Sequence, residues 1–113
     1  MERDFERLPG LLQELGYTRT RKICIITDSN VAPLYLELVR DVLKTNFDIC
    51  TSYMFTAGEA SKNTDTVCGA YEHLIQNGFD RKDLIVALGG GVVGDLAGFT
   101  AATYIRGIDF VQM

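Results

Sequence analysis

The sequence predicts a doubly wound α/β fold on a mostly parallel sheet, a Rossmann-like nucleotide-binding domain. Three observations carry this expectation. Helical and strand-like runs alternate along the chain as α-β-α-β-α-β-α-β. The first and third strand candidates are short continuous apolar runs, as expected of parallel strands covered by helices on both faces. Finally, three consecutive glycines, Gly89-Gly90-Gly91, separate the third strand candidate from the helix after it. In an open α/β sheet ligands bind beyond the carboxyl ends of the strands, so the loops there matter most.

The elements follow in order. Residues 4–15 space Phe5, Leu8, Leu11, Leu12 and Leu15 as a helix would, with Pro9-Gly10 interrupting and Gly16 stopping it. Lys22 to Thr27 is a β-rich run, and Asp28-Ser29-Asn30 after it reads as a turn and helix N-cap. Pro33 falls in the first helical turn, where it is tolerated. Leu34, Leu38, Val42 and Leu43 then extend a helical stripe to about Thr45. Asp48 to Phe55 is the second strand, with Ile49, Tyr53 and Phe55 as packing residues. Thr56 to Ser61 is a loop, and Ser61 is placed to cap the next helix. Val67, Tyr71, Leu74 and Ile75 form that helix's stripe, which ends at the stop signal Asn77-Gly78. Leu84 to Leu88 is the third strand. The helix after the glycines runs to about Ile105, and Ile108 to Met113 is a fourth strand.

The glycine turn carries the chemistry. Without side chains, backbone N–H groups approach a ligand closely, and the helix N-terminus behind them is partly positive. A phosphate suits that place; a tight turn that binds nothing is the plainer reading. A P-loop is excluded, because Gly94-Asp95-Leu96 stands where Gly-Lys-Ser/Thr is needed. The G-x-G-x-x-G fingerprint fits Gly89, Gly91 and Gly94, but its acidic ribose ligand belongs about twenty residues later, at the end of the next strand. Three polar clusters fall at strand carboxyl ends: Asp28-Ser29-Asn30, Gly58-Glu59-Ala60-Ser61-Lys62, and Gly89 to Asp95. Their convergence on one rim points to a nucleotide.

Composition narrows the rest. A chain of 113 residues is one domain, residues 1–113. The net charge of −4 and scattered Lys and Arg argue against nucleic acid. No apolar stretch approaches the ~20 residues that span a bilayer, which argues against a membrane. The charged N-terminus lacks a signal segment, so a cytoplasmic location is expected. Cys24, Cys50 and Cys68 make no metal-ligand pattern, and two of them read as buried hydrophobes. The single histidine, His73, reads as a surface or packing residue.

Three segments resemble a known family: Thr27-Asp28-Ser29-Asn30-Val31-Ala32-Pro33-Leu34-Tyr35, Gly58-Glu59-Ala60-Ser61-Lys62, and Gly89 to Phe99 continuing through Ala101 to Gly107. In these the chain is similar to the N-terminal, NAD-binding part of 3-dehydroquinate synthase, from about Leu8 onward. The resemblance implies a lyase that converts 3-deoxy-D-arabino-heptulosonate 7-phosphate to 3-dehydroquinate and phosphate in the shikimate pathway. It implies transient use of NAD, a divalent metal (zinc or cobalt) and a homodimer. By the same resemblance Asp28, Ser29 and Asn30 would line the adenosine end of NAD. Glu59 and Lys62, flanking Ala60 and Ser61, would hold its ribose region. Gly90, Gly91 and Val92 would present backbone to the pyrophosphate, and Asp95 would contact the nicotinamide side. Arg106 would reach the substrate phosphate, in a neighbouring subunit's site. The residue types suit these roles: carboxylates and amides bond ribose hydroxyls, a guanidinium forks onto phosphate, and the charge of Glu59 favours NAD over NADP.

The departures are as informative. The family's zinc ligands, a glutamate and two histidines of a helical second half, have no counterpart here. Its substrate-handling lysines lie beyond Met113, no β-hairpin precedes Phe5, and Ala57 replaces an acid. The chain is expected to be a fragment with no catalytic residue or metal ligand of its own, inactive alone. The alternatives are another sugar-phosphate cyclase, of the 2-deoxy-scyllo-inosose or valiolone synthase type, and a non-catalytic nucleotide-binding module. Glycerol dehydrogenases and iron-dependent alcohol dehydrogenases share the glycine turn but fit the flanking residues less well.

Overall fold

A computed structural model of the chain describes residues 8–104 and 107–112. Four strands, β1 (Lys22–Asp28), β2 (Ile49–Phe55), β3 (Leu84–Leu88) and β4 (Asp109–Gln112), form one sheet in the order β2-β1-β3-β4. Every pairing is parallel. The helices are α1 (Leu8–Glu14), α2 (Glu37–Asn46), α3 (Thr64–Gln76) and α4 (Gly91–Thr103). The alternating order expected from the sequence is therefore present, as a doubly wound α/β sheet.

The sheet separates two core layers. On β1, Ile23 and Ile25 face the layer holding Leu12 of α1 and Val39 and Leu43 of α2, whereas Cys24 and Ile26 face Val67, Leu74, Leu96 and Ala97 of α3 and α4. On β3, Leu84, Val86 and Leu88 face the first layer, and Ile85 and Ala87 the second. Both central strands are buried on both faces, which is why their sequences are apolar without alternation. From β1 the chain steps one way to β2; from β3 it steps the other way to β4. The winding therefore reverses between β1 and β3, where their carboxyl ends leave a crevice.

Several expectations need correction. The stripe on α2 is Leu36, Val39 and Leu43, whereas Leu34 and Leu38 are exposed. The helix is entered through a π-turn, Ala32–Leu36. Ile49 is exposed at the start of the edge strand β2, whereas its neighbour Cys50 is buried on the opposite face of the sheet. Leu11, Leu15 and Ile75 are also exposed. Pro9-Gly10 lies in the first turn of α1 and does not interrupt it. Asn63, not Ser61, caps α3, accepting the Thr66 N–H at 2.9 Å. The stop at Asn77-Gly78 holds, closed by Gly78 N–H to Ile75 O and Phe79 N–H to Leu74 O. Phe5, Ile105 and Met113 lie outside the described residues.

The thiols behave as the sequence suggested. Cys24 and Cys50 are buried, Cys68 is exposed, and all three are free. His73 is half-buried, its Nε2 3.0 Å from Thr51 Oγ1, and burial lowers its pKa. Among the described residues no helix is long and apolar enough to cross a membrane.

Candidate functional site

The crevice is assembled from three strand exits. β1 ends at Asp28, β2 at Phe55 and β3 at Leu88. Ser29 ties the first two exits together: its N–H donates to Phe55 O, and its Oγ accepts the Ala57 N–H, both at 2.9 Å. Thr27, fully buried, donates its hydroxyl to Leu88 O at 2.7 Å, pinning β3 at the residue before the glycines. The sequence reading missed Thr27; its only signal is a hydroxyl at the end of a buried apolar run. One rim thus carries the three clusters expected from the sequence.

Within the first cluster, Asp28 acts locally. Its Oδ1 accepts the N–H groups of Asn30 (3.0 Å) and Val31 (2.9 Å), closing the turn that starts the π-helical segment. Ser29 and Asn30 are exposed beside it. In the second cluster a short 3-10 turn, Glu59–Ser61, carries Glu59 and Ala60, and the Ser61 hydroxyl donates to Thr56 O. This turn presents Lys62, whose Nζ lies 2.9 Å from Asp95 Oδ2. The two residues expected to touch opposite parts of a ligand are thus brought together as an ion pair. Both side chains are about half exposed, at 47% and 60%.

The third cluster is the glycine turn. Gly89 adopts φ +152°, and a Cβ there would come 2.7 Å from Val93 Cγ2, so the fold itself demands glycine. Gly90 and Gly91 differ. Gly90 has an ordinary φ of −87°, and a Cβ on either residue would meet nothing within 4 Å. Gly90 is the N-cap of α4, and no side chain caps that helix. The first intrahelical bond is Gly94 N–H to Gly90 O. The backbone donors ahead of it face an open cradle next to Val92, which is half-buried against the core. An anion is the natural complement of such a helix end.

Beyond the ion pair, a groove of about 490 Å³ runs between α3 and α4, lined by Val67, Tyr71, Leu96 and Phe99. Arg106 lies outside the described residues. Among the described residues no three His, Cys, Asp or Glu side chains converge as metal ligands.

Known proteins share this sequence and architecture. The family described as 3-dehydroquinate synthase N-terminal matches residues 52–113. A 3-dehydroquinate synthase of Streptococcus suis is 55% identical over 95 residues, covering 84% of this chain and 27% of that protein. One of Geobacillus kaustophilus is 49% identical over 107 residues, covering 94% of this chain and 29% of its own length. Among solved structures, a 2-deoxy-scyllo-inosose synthase complexed with carbaglucose-6-phosphate, NAD+ and Co2+ superposes with a TM-score of 0.81 at 26% identity. It covers 94% of this chain and 29% of that one. The chain therefore spans less than a third of the length of these relatives. With the family match extending from β2 through the glycine turn to β4, the chain belongs to the 3-dehydroquinate synthase family, in its N-terminal part.

Proposed function

We propose that this chain is the NAD-binding portion of a 3-dehydroquinate synthase. The observation that carries the reading is the contrast within the glycine turn: the fold requires Gly89 but not Gly90 or Gly91, which leave an open, uncapped helix end. A pyrophosphate fits there, held by backbone N–H groups of the first turn of α4. Asp28, Ser29 and Asn30 would line the adenosine end, and Glu59, Ala60, Ser61 and Lys62 the ribose region. Val92 would flank the pyrophosphate, and Asp95 would lie toward the nicotinamide.

The parent enzyme is a cytoplasmic homodimeric lyase of the shikimate pathway, which takes 3-deoxy-D-arabino-heptulosonate 7-phosphate to 3-dehydroquinate and phosphate. NAD supplies reversible hydride transfer, and a divalent metal, zinc or cobalt, is held by residues outside this chain. Arg106 would contact the substrate phosphate. A 2-deoxy-scyllo-inosose synthase type of cyclase is the second reading, supported by the structural likeness. The higher identity to 3-dehydroquinate synthases favours the first.

Calorimetric titration of NAD into the chain tests the site, with Gly91→Asp as control. Binding by the wild type and none by the variant is the expected outcome, because a carboxylate in the cradle repels the pyrophosphate. A wild-type chain that is folded by circular dichroism yet binds no NAD overturns it.

A further inference from the structure

The face that α3 and α4 turn away from the sheet is apolar where a solvated helix pair carries charge. Asp95 is the only charged residue in the 13 of α4. A helix apolar all round is normally covered on every side. Yet Phe99 of α4 is 57% exposed and Ile75 of α3 is 65% exposed. The hydroxyls on this face are already satisfied: Thr103 Oγ1 donates to Phe99 O at 2.8 Å and accepts from the Tyr71 hydroxyl. Covering the face therefore strands neither of them. Tyr71, Ile75, Thr103 and Tyr104 line a hollow of about 250 Å³. Thr103 lies one helical turn beyond Phe99, so a protruding ring and a hollow sit side by side on one face.

The two ends of this face differ in charge. Asp65 and Asp95 are exposed at the N-terminal ends of α3 and α4, with Lys62 paired to Asp95. At the other end, the Tyr104 hydroxyl donates to Phe79 O at 2.9 Å, which holds the loop after α3 against the end of α4. Arg81 and Lys82 are exposed in that loop, where Asp80 lies 3.8 Å from Arg21. One end is thus acidic and the other basic.

We propose that this face seats a second copy of the chain about a two-fold axis, with each copy's Phe99 in the other's hollow. Such an axis sets α4 antiparallel to its counterpart. The acidic end of each copy then meets the basic end of the other, and the helix dipoles oppose favourably. A second copy is the fitting occupant because the face complements itself in both shape and charge. The inference rests on the homodimeric reading of the parent enzyme and deepens it, by giving the pairing a surface.

Sedimentation of the whole chain over a wide concentration range tests this, with folding checked by circular dichroism. The wild type is expected to dimerise. Phe99→Glu should weaken the dimer about thirtyfold, as for a central aromatic anchor. Leu38→Glu, on the exposed side of α2, should leave it unchanged. Arg81→Glu should weaken it about threefold, as for a charge at the rim. Adding Asp65→Lys to Arg81→Glu should restore the wild-type affinity, because the ends of the face exchange sign together. Reversals whose losses multiply instead of cancelling overturn the antiparallel seating. A dimer that ignores Phe99→Glu, or that is lost only in Phe110→Lys at the β4 edge, overturns the surface while the homodimeric reading stands. A folded wild type that stays monomeric throughout overturns the pairing itself, a distinct outcome.

Discussion

The turns after β1 and β3 sit side by side on one rim and solve the same steric problem in opposite ways. After β1 the chain satisfies itself. Asp28 accepts two backbone N–H groups, and Ser29 bonds the neighbouring exit in both directions. After β3 the chain leaves its polar backbone open. Gly90 caps α4 with no side chain, and nothing lies where the Cβ atoms of Gly90 and Gly91 would be. The first turn is a scaffold that also displays polar groups; the second is a vacancy shaped by the scaffold. The difference teaches that a polar cluster can be occupied with its own backbone, whereas a bare helix end has donors to give.

The largest expected effect sharpens that contrast inside the glycine turn. Gly89→Ala meets both a backbone that disfavours side chains and the Val93 methyl, and should lose about 2–4 kcal/mol of unfolding free energy in urea. Gly91→Ala, in open space at the first turn of a helix, should change it by less than about 0.5 kcal/mol. Equal losses at both positions would break the distinction between a glycine the fold needs and one it does not.

A second expectation concerns the sheet beneath both turns. Burial pushes the Cys24 thiol up to about 12 and the Cys50 thiol up to about 11, against roughly 8.5 in an unfolded chain. Because the folded-state values are raised, the unfolded chain releases these protons first. The stabilisation is complete below about pH 8.5 and is lost progressively as pH rises toward the folded values. Each thiol should cost about 1.4 kcal/mol of stability by about pH 9.5. Urea unfolding across that range should show the decline, with a shallower slope in a Cys24→Ala, Cys50→Ala variant. This change acts on the scaffold, so the difference between Gly89→Ala and Gly91→Ala should survive it.

The smallest expected loss belongs to the self-satisfied turn. Asp28→Ala removes the acceptor for two N–H groups and should cost about 1 kcal/mol of stability in the same urea assay. A loss of NAD affinity without any loss of stability would show instead that the Asp28 carboxylate belongs to the ligand rather than to the turn.

Much of the fold was legible because it is local. The buried run Leu84–Leu88, the turn at Asp28 and the stop at Asn77-Gly78 depend on residues within a few positions of one another, and each is where the sequence placed it, although the helix N-cap expected in that turn falls instead on Val31, with no side-chain cap. The stripe of α2 was legible only in part: Leu43 is buried as expected, whereas Leu34 and Leu38 are exposed and Val39 is buried in their place. Ser61 offered as good a capping side chain as Asn63; which one caps depends on the 3-10 turn before it.

For the site the division is the same. The residue types at the strand ends, and hence a glycine turn at a strand exit of a doubly wound sheet, are properties of the sequence alone, since glycine runs and apolar strands constrain the backbone wherever they occur. Only the tertiary structure decided that Lys62 meets Asp95, that Thr27 pins Leu88, and that Gly89 is required while Gly90 and Gly91 are not. Those facts depend on how separate segments approach one another in space, and Coulomb attraction, hydrogen bonding and steric exclusion act on that distance rather than on separation along the chain.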